Sequence, residues 1–197
     1  MKTTRLMALL AISGALGAAD APPLPAVATR FLAIFDDLRA AEAQKAAGSA
    51  RHVSFLISAT EINDYMRWAL RTTPRPGIDS VTVKIFRNNY VSIFTMVDFD
   101  AVEKWHPGTI PGIFRPILSG KKSIWLDYRF QADNGKVTFS VEKAYYGSVR
   151  LPALFVQKMI QVVAARQPEK YDTSKPLPLP FGLRKVWTED RAAAGEN

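Results

Sequence analysis

The stretch IWLDYRFQADNGKVTFSV, residues 124–141, alternates apolar and polar side chains on either side of a turn signal. Ile124, Leu126, Tyr128 and Phe130 share one parity, Asp133-Asn134-Gly135 supplies the turn, and Val137, Phe139 and Val141 resume the alternation. A period of two around residues that accept left-handed backbone reads as an antiparallel hairpin. Beyond Val141 the apolar phase slips by one, to Ala144 and Tyr146, which predicts a bulge.

Upstream lies a second hairpin. Val81, Val83 and Ile85 alternate, Asn88-Asn89 turns the chain, and Tyr90 to Phe99 returns. The returning strand is apolar on both faces, with Val91, Ile93, Val97 and Phe99 on one and Tyr90, Phe94 and Met96 on the other, so it is expected to be covered on both sides. Strands of about 10 residues exceed the usual 5 to 6, and long antiparallel strands twist and coil. A coiled sheet needs something to wrap. Val27, Phe31, Phe35, Leu38 and Ala41 recur at helical spacing before Gly48, and Leu151, Leu154, Phe155, Met159, Val162 and Val163 mark a late helix with Pro152 near its first turn.

Between the first helix and the hairpins, His52 to Ile57 alternates as a short strand and runs into Ser58-Ala59-Thr60-Glu61, a capping box. The helix it starts buries Ile62, Tyr65, Met66 and Ala69 and stops at the Thr73-Pro74-Arg75-Pro76-Gly77 break. The predicted fold is α+β, a long curved antiparallel sheet wrapped on helices as a roll. It spans 20–187 as one domain, with an extended Pro-rich segment from Lys175 to Trp187 and a disordered tail over 188–197.

At the N-terminus, Lys2 and Arg5 precede an uncharged run from Leu6 to Ala19 that ends in small residues, the layout of a secretory signal over residues 1–19. About 14 apolar residues are short for a span, which needs roughly 20, so cleavage near Ala19 is expected rather than retention as an anchor. The localisation that follows is periplasmic or secreted. The full chain carries 26 Lys and Arg against 18 Asp and Glu, and loss of Lys2 and Arg5 takes the net charge from +8 to +6. Such a charge suits anionic lipid surfaces or anionic envelope polymers, and nucleic acid is not an expected partner there. There is no cysteine, so stability rests on the core alone.

The order of signal, helix, strand, the Ile57-Ser58-Ala59-Thr60-Glu61-Ile62-Asn63 motif, Pro-Gly break, long hairpins, late helix and final Leu179-Pro180-Phe181 resembles the YceB-type bacterial envelope lipoproteins. These in turn resemble the tubular lipid-binding (TULIP) group. The resemblance implies a TULIP-like roll in which a curved sheet encloses an apolar groove for lipid. The lipoprotein cysteine is missing here, which implies a soluble relative.

Catalytic signals are poor. His52 and His106 are the only histidines, and there is neither a cysteine nor a Gly-x-Ser-x-Gly elbow. Asp98, Asp100 and Glu103 lack the glycine-spaced pattern of a calcium loop. No enzyme activity, cofactor or metal is expected. The most telling segment runs from Trp105 to Leu118, where Ile110, Ile113, Phe114 and Ile117 sit among Pro107, Gly108, Pro111, Gly112 and Pro116. It is either a plug tucked under the sheet or an apolar lip that touches membrane, with Trp105, Arg115, Lys121 and Lys122 as membrane or headgroup contacts in the second reading. Phe94, Met96, Tyr128, Phe139, Ile113, Phe114 and Met159 are the candidates to line an apolar groove; the alternative for them is plain core. Two functional classes remain: a carrier of lipid or another hydrophobic ligand, and an envelope interaction module with a solid core and an exposed patch such as Arg184, Lys185 and Trp187.

Overall fold

The computed structural model describes residues 24–49, 51–166 and 172–197; the expected signal over 1–19 lies outside them. Helix α1 (Ala26–Ala46) buries Ala28, Phe31, Leu38 and Ala41, a stripe set by its helical spacing. Strand β1 (Ser54–Ser58) leads into α2 (Ala59–Thr72), and the predicted capping box is formed: the Glu61 N–H donates to Ser58 Oγ at 3.2 Å and the Ser58 N–H donates to Glu61 Oε2 at 2.8 Å. The two helices lock through the Phe31 and Tyr65 rings, stacked with centroids 4.3 Å apart.

The two hairpins form as β2 (Ile78–Phe86) with β3 (Tyr90–Asp98), and β4 (Lys121–Asp133) with β5 (Lys136–Tyr146). Helix α3 (Phe99–Trp105) links them, capped by the Asp98 carboxylate, which accepts from the Asp100 and Ala101 N–H groups. Asn88, Asn89 and Asn134 take positive φ, as does Gly135, matching the right-handed twist of the flanking strands. The predicted bulge is present: pairing jumps from Asp127–Lys143 to Tyr128–Val141, leaving Glu142 without a cross-strand partner.

Strand β6 (Val149–Leu151) precedes α4 (Ala153–Arg166), and β7 (Leu177–Pro178), β8 (Lys185–Glu189) and β9 (Ala192–Glu196) follow. All nine strands join one open antiparallel sheet in the order β1-β9-β8-β4-β3-β2, with β5 on the other edge of β4 and β6 and β7 on β5. The fold is α+β, an extended antiparallel sheet on helices. Between α1 and the Pro-rich segment, Phe181 is buried against Leu38 and Phe35.

The tail expected to be disordered over 188–197 is instead sheet. Strands β8 and β9 form a hairpin, and β9 also pairs with β1 along its length. Ala192 and Ala194 are buried, and Gly195 lies beneath the Phe55 ring, which a Cβ would meet at 2.6 Å. Local propensity in this alanine-rich stretch is low, so tertiary pairing and small size, rather than strand preference, hold it.

Register fixes what each face carries. Val81, Thr95, Ile124 and Tyr146 form one cross-strand row. Val81 packs on the α1–α2 core and Tyr146 packs on the cluster that includes Phe155 and Met159 of α4, so both helix layers lie on the same, inner face. Strand β2 is an edge, and α2 covers it: Asn63 Nδ2 donates to the Val83 carbonyl at 2.8 Å while the Val83 N–H donates to Asn63 Oδ1 at 2.7 Å.

Candidate functional site

On the inner face, three successive rows run across β2, β3, β4 and β5: Val81-Thr95-Ile124-Tyr146, Val83-Ile93-Leu126-Ala144 and Ile85-Val91-Tyr128-Val141. The outer positions of the block are held by α2 at the β2 side and α4 at the β5 side. Between them Ile93, Ile124, Leu126, Tyr128 and Phe130 are only half-buried. Phe139, paired with Phe130, is exposed, and its ring meets Tyr128 edge-on at 6.0 Å. Burial in this apolar surround pushes the Tyr128 phenol up to about 12, so it stays neutral. Between α2 and α4 the inner face is therefore apolar and only partly shielded from solvent.

The Trp105–Leu118 segment divides by spacing instead of choosing one role. Ile110, Phe114 and Leu118 recur every four residues and are buried with Phe99, Tyr146, Phe155, Met159 and Val162, so they plug one end of the inner face. Ile113 is 77% exposed and Ile117 is exposed beside it. Leu154 is exposed too, on the α4 turn whose Phe155 packs edge-on against Phe114 at 5.5 Å. An apolar rim therefore stands at the plugged end. Glu103 organises the loop, accepting from the Gly108 and Ile110 N–H groups at 2.8 and 2.9 Å and pairing with Arg115; these bonds hold its carboxyl below the ordinary range.

Of the expected groove residues, Tyr128, Phe139, Phe114 and Met159 belong to the inner face and its plug, and Ile113 to the rim. Phe94 and Met96 do not join them. They pair with Trp125 and Ser123 and point to the opposite face, because a strand sends alternate residues to opposite sides. Nor is that strand covered on both sides, since Phe94 is 40% exposed. Of the expected headgroup contacts, Trp105 is exposed under the Arg75 guanidinium, at 5.6 Å, whereas Arg115 and Lys121 are engaged by Glu103 and Asp79. Lys122 is exposed.

The outer face holds what the sequence reading missed. Asp127 is a 6% exposed carboxylate on the open side of the sheet, among Ser92, Tyr90 and Trp125. Trp125 Nε1 donates to Asp127 Oδ1 at 2.7 Å and to Ser92 Oγ at 2.8 Å. Burial pushes the Asp127 carboxyl up, but hydrogen bonds from Ser92, Tyr90 and Trp125, with the charge of Lys143, outweigh it and leave it below its ordinary 3.8. The same neighbourhood raises the Tyr90 phenol to about 12, through burial first and the Asp127 bond and charge next. The apolar character of β3 on both sides is the sequence signal for this face, and Asp127 itself carries none.

A recess of about 280 Å³ lies where the β5 bulge meets the start of α4, lined by Glu142, Arg150, Leu151, Pro152 and Ala153. It falls just under the 300–1,000 Å³ usual for small-molecule sites, and none of the expected groove or headgroup residues lines it. No protein-family model matches this chain, and no curated protein shows significant similarity to it.

Proposed function

We propose that the protein is an exported, non-enzymatic carrier that holds a lipid acyl chain or a similar apolar ligand in the trough between α2 and α4. The observation that carries this reading is the half-buried state of Ile93, Ile124, Leu126, Tyr128 and Phe130 in the middle of a face that helices flank on both sides. The part of that apolar surface left to solvent forgoes stabilisation, at about 25 cal/mol per Å². A ligand chain laid along the trough recovers it, and the floor offers no charge to repel hydrocarbon. The exposed Ile113, Ile117 and Leu154 rim, together with the protein's positive net charge, suits contact with an anionic membrane surface from which lipid would be taken. The signal-like start and the resemblance to lipid-binding envelope proteins agree with this use.

Replacing Leu126 with Trp tests the proposal. If the trough is open, the larger ring occupies it, binding of a fluorescent polyene fatty acid falls and the melting temperature is kept. If the face is packed solid, the same change overpacks it and costs about 1–3 kcal/mol. A destabilised Leu126→Trp protein, together with no fatty-acid binding by the wild type, would leave the reading without support.

A further inference from the structure

The outer face of the sheet is built differently from a solvent-facing one. Phe94, Trp125 and Tyr145 align across β3, β4 and β5 in the row that begins at Thr82, and the next row reads Lys84-Ser92-Asp127-Lys143. Phe86, Tyr90 and Arg129 make a third, with the Arg129 guanidinium 5.1 Å from the centre of the Tyr90 ring. None of the three hydrophobic clusters that the helices form among the described residues includes a residue of these rows, and Trp125 is 46% exposed. An exposed Trp on an open sheet would ordinarily be free to change rotamer. Here its N–H is held by both Ser92 and Asp127, so its ring is fixed at the cost of desolvating a carboxylate. The Trp125 and Tyr145 rings lie 6.2 Å apart and tilted by 49°.

We propose that this face is a second binding site, separate from the lipid trough, for an anionic glycan chain. The fixed Trp125 ring, with Tyr145 beside it, presents a flat, electron-rich face to the C–H side of sugar rings. Lys84, which has no ion-pair partner among the described residues, and Lys143 stand in the row alongside and complement carboxylate or phosphate groups on the chain. Asp127 stays anionic and offsets one of these charges, leaving the Lys84-Ser92-Asp127-Lys143 row net positive, and its oxygens are turned to Trp125, Ser92 and Tyr90 rather than to a ligand. Single-stranded nucleic acid also stacks on aromatic platforms with basic flanks. The N-terminal export layout favours the glycan, since envelope polymers and not nucleic acids are what an exported chain meets.

Affinity electrophoresis of the full chain, through gels containing polygalacturonate, neutral dextran or poly(U), reads the site directly. Wild type should be retarded by polygalacturonate more than by dextran or poly(U), and Tyr145→Ala and Lys84→Ala should each weaken that binding by about three- to tenfold. Trp125→Ala should weaken it more, but it also strands Asp127 and Ser92; Tyr145→Ala and Lys84→Ala, with unchanged melts, keep the test independent of folding. Leu126→Trp in the trough should leave glycan binding intact, so failure of one site is distinguishable from failure of the other. Retardation unaltered by Tyr145→Ala would reduce the interaction to general charge and overturn the proposal. Stronger retention by poly(U), or none by any polymer, would overturn it too.

Discussion

Ile113 and Phe114 are adjacent in sequence and opposite in environment, so one charge placed at each position separates the plug from the rim. Phe114 is 8% exposed, packs edge-on against Phe155 and closes a cluster with Ile110 and Leu118, whereas Ile113 is 77% exposed. Phe114→Asp removes a buried aromatic, worth about 3–5 kcal/mol on truncation, and adds a carboxylate with no cation in the cluster to meet it. A loss of at least 3 kcal/mol is expected, a large share of the roughly 5–15 kcal/mol that holds a domain together. Ile113→Asp should lie within about 0.5 kcal/mol of wild type, as surface changes do. It should nevertheless weaken binding to anionic vesicles, because it puts a negative charge into an apolar rim. Urea titration and liposome sedimentation of both variants give the comparison. Equal stability of the two would refute the division of the loop, and unchanged vesicle binding by Ile113→Asp would remove the rim's membrane role.

Gly195→Ala should destabilise by about 1–3 kcal/mol, since the new methyl meets the Phe55 ring at 2.6 Å; denaturant midpoints check this, and a neutral result would deny that β9 is packed on β1. Ser58→Ala should cost about 1 kcal/mol by the same titration, through loss of the bond to the Glu61 N–H. The Ser58 backbone N–H, chiefly, holds the Glu61 carboxyl below its ordinary 4.5, so its contribution is complete above that value and is lost as pH falls through the lower folded one. Glu61→Gln should therefore flatten the acid side of a stability profile measured downward from pH 5. Asn63→Leu should cost about 1–3 kcal/mol by bare removal of two bonds to the Val83 edge, and hydrogen exchange at the Val83 amide should speed up.

Much of this architecture was written locally. The Ser58-to-Glu61 box, both Asn-containing hairpin turns and the Glu142 bulge are short-range chemistry, and each stands where spacing put it. What escaped was non-local. The β8–β9 turn at Asp190-Arg191 has no glycine, and Arg191 takes φ 59° because pairing of the flanking strands enforces it. Ala192 to Glu196 has no strand preference of its own and becomes a strand between β1 and β8. The candidate site failed in part for another reason. Parity assigned Phe94 and Met96 correctly to the face opposite Val91, but an apolar strand face does not announce whether helix or ligand covers it. Asp127, a single acid in a hydrophobic alternation, had no sequence feature to mark it as the anchor of Trp125.

Mass spectrometry of organic extracts from the purified protein tests the central claim most directly. An occupied trough predicts that a lipid or fatty acid co-purifies in near-stoichiometric amount, and that Leu126→Trp, prepared in parallel, yields markedly less. Extracts of wild type and Leu126→Trp with the same trace lipid content, and no uptake on incubation with fatty acid, would contradict it.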